Sequence, residues 1–147
     1  MRYFAAVVAL TVVTASICAE EPPKATRVID GTKYTFPDKT IRDGVRALRD
    51  VLEACHTEGD SRFENGKEIK YTADDVKKAQ KGDHVRFVFS KPLLVDVLEK
   101  ELDATEVVFA NGAFWLMCEK QVVRCSKYEY EKMKKFEEWY RQTLRPD

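Results

Sequence analysis

The side chains best suited to chemistry in this 147-residue sequence are a few thiols, two imidazoles and several closely spaced carboxylates. Cys118 and Cys125 bracket Glu119-Lys120-Gln121-Val122-Val123-Arg124, a spacing that suits the two arms of a β-hairpin. With a two-residue turn centred on Lys120-Gln121, the cysteines share a sheet face but lie diagonally. Their Cα atoms are then roughly 7–8 Å apart, at the outer limit for a bridge. A four-residue loop from Lys120 to Val123 sets them directly opposite and allows a Cys118–Cys125 disulfide. Three states stay open: that bridge, a bridge from Cys55 to one of the pair, and three free thiols. A thioredoxin-like redox centre needs C-x-x-C at a helix N-terminus, where the dipole lowers the thiol pKa, and this spacing in a β context does not supply it. Zinc takes cysteine pairs two to four residues apart or clustered histidines, so no metal site and no cofactor is expected.

Cys55-His56 suggests a thiol beside a base, but adjacent helical residues point about 100° apart and Cys55 continues an apolar stripe. His84 opens a strand and shares a face with Arg86, opposite Val85, Phe87 and Phe89. It could act as a general base, yet a lone histidine at a strand start is commonly hydrogen-bonded surface. The carboxylates at Asp74-Asp75, Glu99 to Asp103, Glu129, Glu131 and Glu137-Glu138 sit among lysines in turns and first helical turns, where caps and solvated faces account for them. No G-x-S-x-G, phosphate loop or ordered Ser-His-Asp pattern is present.

The chain starts with Arg2, an apolar run from Tyr3 to Ile17, and small residues at Cys18-Ala19. That is the form of a secretory signal peptide over residues 1–19, too short for the roughly 20 apolar residues of a membrane span. Ile17 before Cys18 argues against a lipoprotein. The expectation is an exported protein, periplasmic or extracellular, with no membrane segment after cleavage. Lys and Arg total 25, as do Asp and Glu, so no net field steers the chain to nucleic acid.

The elements that must position these groups follow from periodicity. Residues 20–26 read as a flexible leader before a single domain over 27–147. Asp30-Gly31 marks a small hairpin, and Asn65-Gly66 and Asn111-Gly112 mark two more. Ile41, Val45, Leu48, Leu52 and Cys55 predict a helix from Thr40, opened by a Thr40–Asp43 capping box, with Arg42, Arg46 and Arg49 on a solvated face. Gly44 inside it costs about 1 kcal/mol relative to Ala, which suggests a close packing contact. Thr72 and Asp75 predict a short helix over 73–81 with Gly82 as its left-handed cap. His84–Phe89, Leu93–Leu98, Thr105–Ala110, Ala113–Cys118 and Val122–Cys125 alternate as strands, with Pro92 an interruption. Ser126 and Glu129 open a last helix carrying Tyr130, Met133, Phe136, Tyr140 and Leu144.

The fold class expected is α+β: an antiparallel meander of about five strands, an N-terminal helix packed on it and a C-terminal helix docked at the end. Trp115 and Met117 lie on one face of their strand, Phe114, Leu116 and Cys118 on the other. The last helix covers one face, and the first helix is expected to cover the second. The functional expectation is a non-catalytic binding or structural module, with Trp115, Met117, Arg86 and His84 as its contact surface for an unknown protein. The alternatives are a carrier of a small apolar ligand in a helix–sheet pocket, and a hydrolase using His84 or Cys55.

Overall fold

The computed structural model describes residues 22–55, 60–97, 100–142 and 145–146. The proposed signal segment, His56 and Leu144 lie outside them. β1 (Lys24–Ile29) turns at Asp30-Gly31 and returns as β2 (Thr32–Thr35). Asp30 and Gly31 have φ of 50° and 80°, the positive values a type I′ turn needs and that this dipeptide tolerates. Asn65-Gly66 closes β3 (Arg62–Glu64) on β4 (Lys67–Ile69) in the same way.

Helix α1 (Asp38–Glu53) follows β2 directly. Its N-cap is Pro37, whose carbonyl accepts the Thr40 hydroxyl at 2.8 Å, so the expected Thr40–Asp43 box does not form. Helix α2 (Ala73–Ala79) does use its expected box: the Asp75 carboxylate accepts the Thr72 backbone N–H at 2.7 Å. It ends on Gln80 in right-handed conformation, and Gly82 is not the left-handed cap. β5 (His84–Val97) runs through Pro92, because the register shift between Val88 and Leu93 takes the missing N–H into a bulge. β6 (Lys100–Ala110), β7 (Ala113–Cys118) and β8 (Val122–Cys125) complete the meander. Helix α3 (Tyr130–Tyr140) starts at Glu129 without a side-chain cap bond, so the Ser126–Glu129 box is not made, and Tyr130 is 72% exposed rather than apolar-facing. β9 (Arg145–Pro146) pairs with β2.

The main sheet is antiparallel, in the order β8-β7-β6-β5-β1-β2-β9, and has seven strands where about five were expected. Two of the expected strands run together as β5, and three are added: Lys24 to Val28 bond to Val88 to His84, which recruits β1 and with it the β2 hairpin, and β9 pairs on the far side of β2. Both long helices lie on one face. Leu48, Val51 and Leu52 of α1 join Met133, Phe136 and Trp139 of α3 over Val85, Phe87, Val107, Phe114 and Leu116. The expectation that α1 covers the second face is thereby corrected. That face has its own smaller core of Val76 from α2 with Val108, Ala110 and Trp115.

The contact that sets the two long helices together is at Gly44. A Cβ on that residue would stand 2.2 Å from Cε2 and Cζ2 of Trp139. Trp139 stacks on Phe36 at a centroid distance of 4.0 Å, and its Nε1–H donates to the Thr40 carbonyl at 2.9 Å. The missing side chain of Gly44 is what lets the indole enter between α1 and the sheet.

Candidate functional site

Backbone geometry first decides the cysteines. Met117 pairs with Val122, Leu116 with Val123 and Phe114 with Cys125, while the Cys118 N–H donates to the Gln121 carbonyl at 2.9 Å. The turn is therefore centred on Glu119-Lys120, one residue earlier than the two-residue alternative at Lys120-Gln121. Cys125 faces Phe114, and Cys118 lies four residues further along the same face, roughly 13 Å at 3.3 Å per residue. This excludes a Cys118–Cys125 disulfide, one of the three states the sequence left open, since a bridge needs Cα atoms within about 7 Å. Among the described residues, Cys55, Cys118 and Cys125 are free, with a near pair 4.4 Å apart.

Instead, the last turn of α1 carries Cys55 toward Cys125. Cys55 donates to the Val51 carbonyl at 3.4 Å and packs against the cluster that holds Cys125. The Cys125 thiol, as a hydrogen-bond partner, lowers the Cys55 pKa against the opposing effects of burial and Asp60. The same contact, with burial, raises Cys125. Burial also raises Cys118. Asp60, five residues beyond Cys55, donates its N–H to the Arg124 carbonyl at 2.7 Å and ion-pairs with the Arg124 guanidinium, which fixes the outer edge of β8.

The four residues expected as a contact surface do share a sheet face. His84 pairs with Ala110, Arg86 with Val108, Val108 with Trp115 and Glu106 with Met117. The surface is occupied, however. Trp115 is 8% exposed, with Tyr71 edge-on at 5.3 Å, Arg124 over its ring at 5.4 Å and Val76 beside it. Arg86 makes a bidentate pair with Glu106 at 2.8 and 3.0 Å, which raises the Arg86 pKa.

His84 stands in a cleft of about 600 Å³ with Asp83, Arg27, Tyr128, Glu137 and Tyr140. Its imidazole, the Tyr128 hydroxyl and the Glu137 carboxylate are each turned to a local partner. The His84 Nδ1–H donates to the Gly82 carbonyl at 2.9 Å, Tyr128 donates to the Gly112 carbonyl at 3.0 Å, and Glu137 accepts from Arg141 at 3.2 Å. Alternation along β5 puts His84 on the face opposite Cys125, so no thiol–imidazole pair is assembled from these two. No group of three or more His, Cys, Asp or Glu side chains suited to a metal occurs among the described residues.

The feature that periodicity did not reveal is a groove of about 1080 Å³ between α1 and the outer hairpin. Ala25, Phe36, Ile41 and Val45 give it an apolar floor. Lys24, Lys33, Arg42, Arg46 and Arg49 stand around it with Asp38, so the stretch expected to be a plain solvated face lines a cavity. The available sequence signal was the i, i+4, i+7 spacing of Arg42, Arg46 and Arg49 beside Ile41 and Val45. It became legible only once β1 and β2 were known to lie opposite. Comparisons with protein-family models, with characterised proteins and with solved structures give no match to this chain.

Proposed function

We propose that this protein is a non-catalytic binding module whose ligand is an elongated small molecule, apolar along its body and anionic at one end, held between α1 and β1–β2. The observation that carries this reading is the groove itself. Its volume of about 1080 Å³ is just above the roughly 300–1,000 Å³ of small-molecule sites, and it combines an apolar floor with a cationic rim. Among the described residues Arg46 pairs with Asp43 at 3.7 Å, with both side chains about 70% exposed, and such pairs contribute little. A carboxylate near the Arg42–Arg49 stripe exchanges water for guanidinium donors, while the chain of the ligand covers Phe36 and Ile41. The signal-like pattern of residues 1–19 supports an exported location for this binding, and N-terminal sequencing of the mature protein tests it.

Titration with palmitate tests the reading. Trp139 stacks on Phe36, a groove residue, so its emission reports occupancy. The expected result is saturable binding of palmitate, weaker binding of hexadecanol, and loss of that preference in Arg42→Glu/Arg46→Glu. Equal binding of acid and alcohol, or none of either, overturns it.

A further inference from the structure

We propose that Cys55 and Cys125 form a redox-convertible pair, closing into a disulfide that locks the C-terminal end of α1 to β8. Three features of the fold bring them together. Val51 and Leu52, both fully buried, anchor the last turn of α1 so that Cys55 faces the helix-covered side of the sheet. The β7–β8 register puts Cys125, 2% exposed, on that same side across from Phe114. The Asp60–Arg124 backbone bond and ion pair then hold the chain that leaves Cys55 against the strand that carries Cys125. Cys118 is kept out by the register alone.

The chemistry needs a disulfide oxidant, such as oxidised glutathione. Cys55 is half-buried and the Cys125 thiol favours its thiolate, so it attacks first. Its sulfur bonds to one glutathione sulfur as the glutathione S–S bond breaks and the second glutathione leaves as thiolate. Cys125 then loses its proton and attacks the Cys55 sulfur, which expels the bound glutathione. Two protein thiols are oxidised to one disulfide and one oxidised glutathione is reduced to two thiols. The bridge closes a loop of roughly 70 residues, which on the chain-entropy account lowers the unfolded population about a thousandfold. The inference is independent of what occupies the groove.

The test is equilibration of the full-length, signal-cleaved chain in a glutathione redox series, in native buffer and in strong urea, followed by alkylation and peptide mass mapping. The expected native product links Cys55 to Cys125, two hydrogens lighter, with Cys118 alkylated. Its formation constant should exceed the urea value by about the same thousandfold factor, since the bridge and the fold are thermodynamically linked. Cys55→Ser should abolish the linked peptide, while Cys118→Ser should leave it. A linkage through Cys118, three alkylated thiols at the oxidising end, or equal formation constants in buffer and urea each overturns the proposal.

Discussion

Adding one methyl group at Gly44 is the sharpest test of how the helices are held. Glycine inside a helix ordinarily costs about 0.5–1 kcal/mol relative to alanine, so propensity alone makes Gly44→Ala stabilising. The packing predicts the reverse. The new Cβ would overlap Trp139 at 2.2 Å, whereas ordinary carbon contacts lie near 3.5–4.0 Å, so the indole must withdraw by more than about 1 Å. It has little room to do so. Phe36 is stacked on it at 4.0 Å, Phe87 lies at 5.4 Å, and its N–H is committed to the Thr40 carbonyl. Overpacking of this kind costs about 1–3 kcal/mol, and stretching the indole hydrogen bond adds about 1 kcal/mol. After the propensity gain is offset, the net expected loss is about 1–3 kcal/mol, or on the order of 1 M in the urea midpoint.

The assay is urea unfolding followed by far-UV circular dichroism, with Gly44→Ala compared in two backgrounds. In Trp139→Leu the obstruction is gone, and the same substitution should become neutral or stabilising by up to about 1 kcal/mol. The change of sign is what a purely local helix effect cannot produce. If Gly44→Ala is as stable as the parent, or destabilises equally in both backgrounds, the account of the helix contact is refuted.

The Arg62 guanidinium, with Thr72, holds the Asp75 carboxyl below its ordinary range, so its contribution is present above about pH 4 and lost as pH falls further; Asp75→Asn should lower the midpoint at neutral pH and flatten that acid limb. Val76 is 2% exposed over Trp115, and Val76→Ala should cost about 1–2 kcal/mol, seen in thermal unfolding, while leaving palmitate binding unchanged because the groove is on the other face. Under native conditions, reduced Cys55 should react with iodoacetamide before Cys118 and Cys125, with the order read by peptide mass mapping at intermediate times.

The elements dictated by short-range chemistry were legible in the sequence. Three Asn-Gly or Asp-Gly turns, the Thr72–Asp75 box and the inward alternation of Val85, Phe87 and Phe89 all stand in the structure, because each depends on residues within a few positions. What was not legible depended on long-range pairing. Residues 24–26 looked like the end of a leader because their bonding partner is β5, some 60 positions away. The register of the hairpin between Cys118 and Cys125 stayed open because no residue from Glu119 to Gln121 favours the positive φ that would pin a turn. The register the chain adopts sets Cys118 well away from Cys125 and leaves Cys125 beside Cys55.

The groove follows from the same long-range facts. Trp139 fixes the angular position of α1 by lying against Gly44 and bonding to Thr40, which commits that side of the helix to α3. At 100° per residue, Arg42, Arg46 and Arg49 then fall on a flank turned about 100–180° from the core-facing Leu48 and Val51. Opposite that flank stand the start of β1 and the end of β2, which exist as sheet only because β1 pairs with β5. A loose leader would leave the arginines in open solvent, as sequence periodicity suggested. Pinned into the sheet, the same hairpin supplies the facing wall, and a stripe of cations becomes the rim of a cavity. Replacing Ala25, 3% exposed and paired with Phe87, by Pro should therefore unpair this wall and abolish palmitate binding in a chain whose β5–β8 meander remains folded by circular dichroism. Retained binding would place the ligand elsewhere.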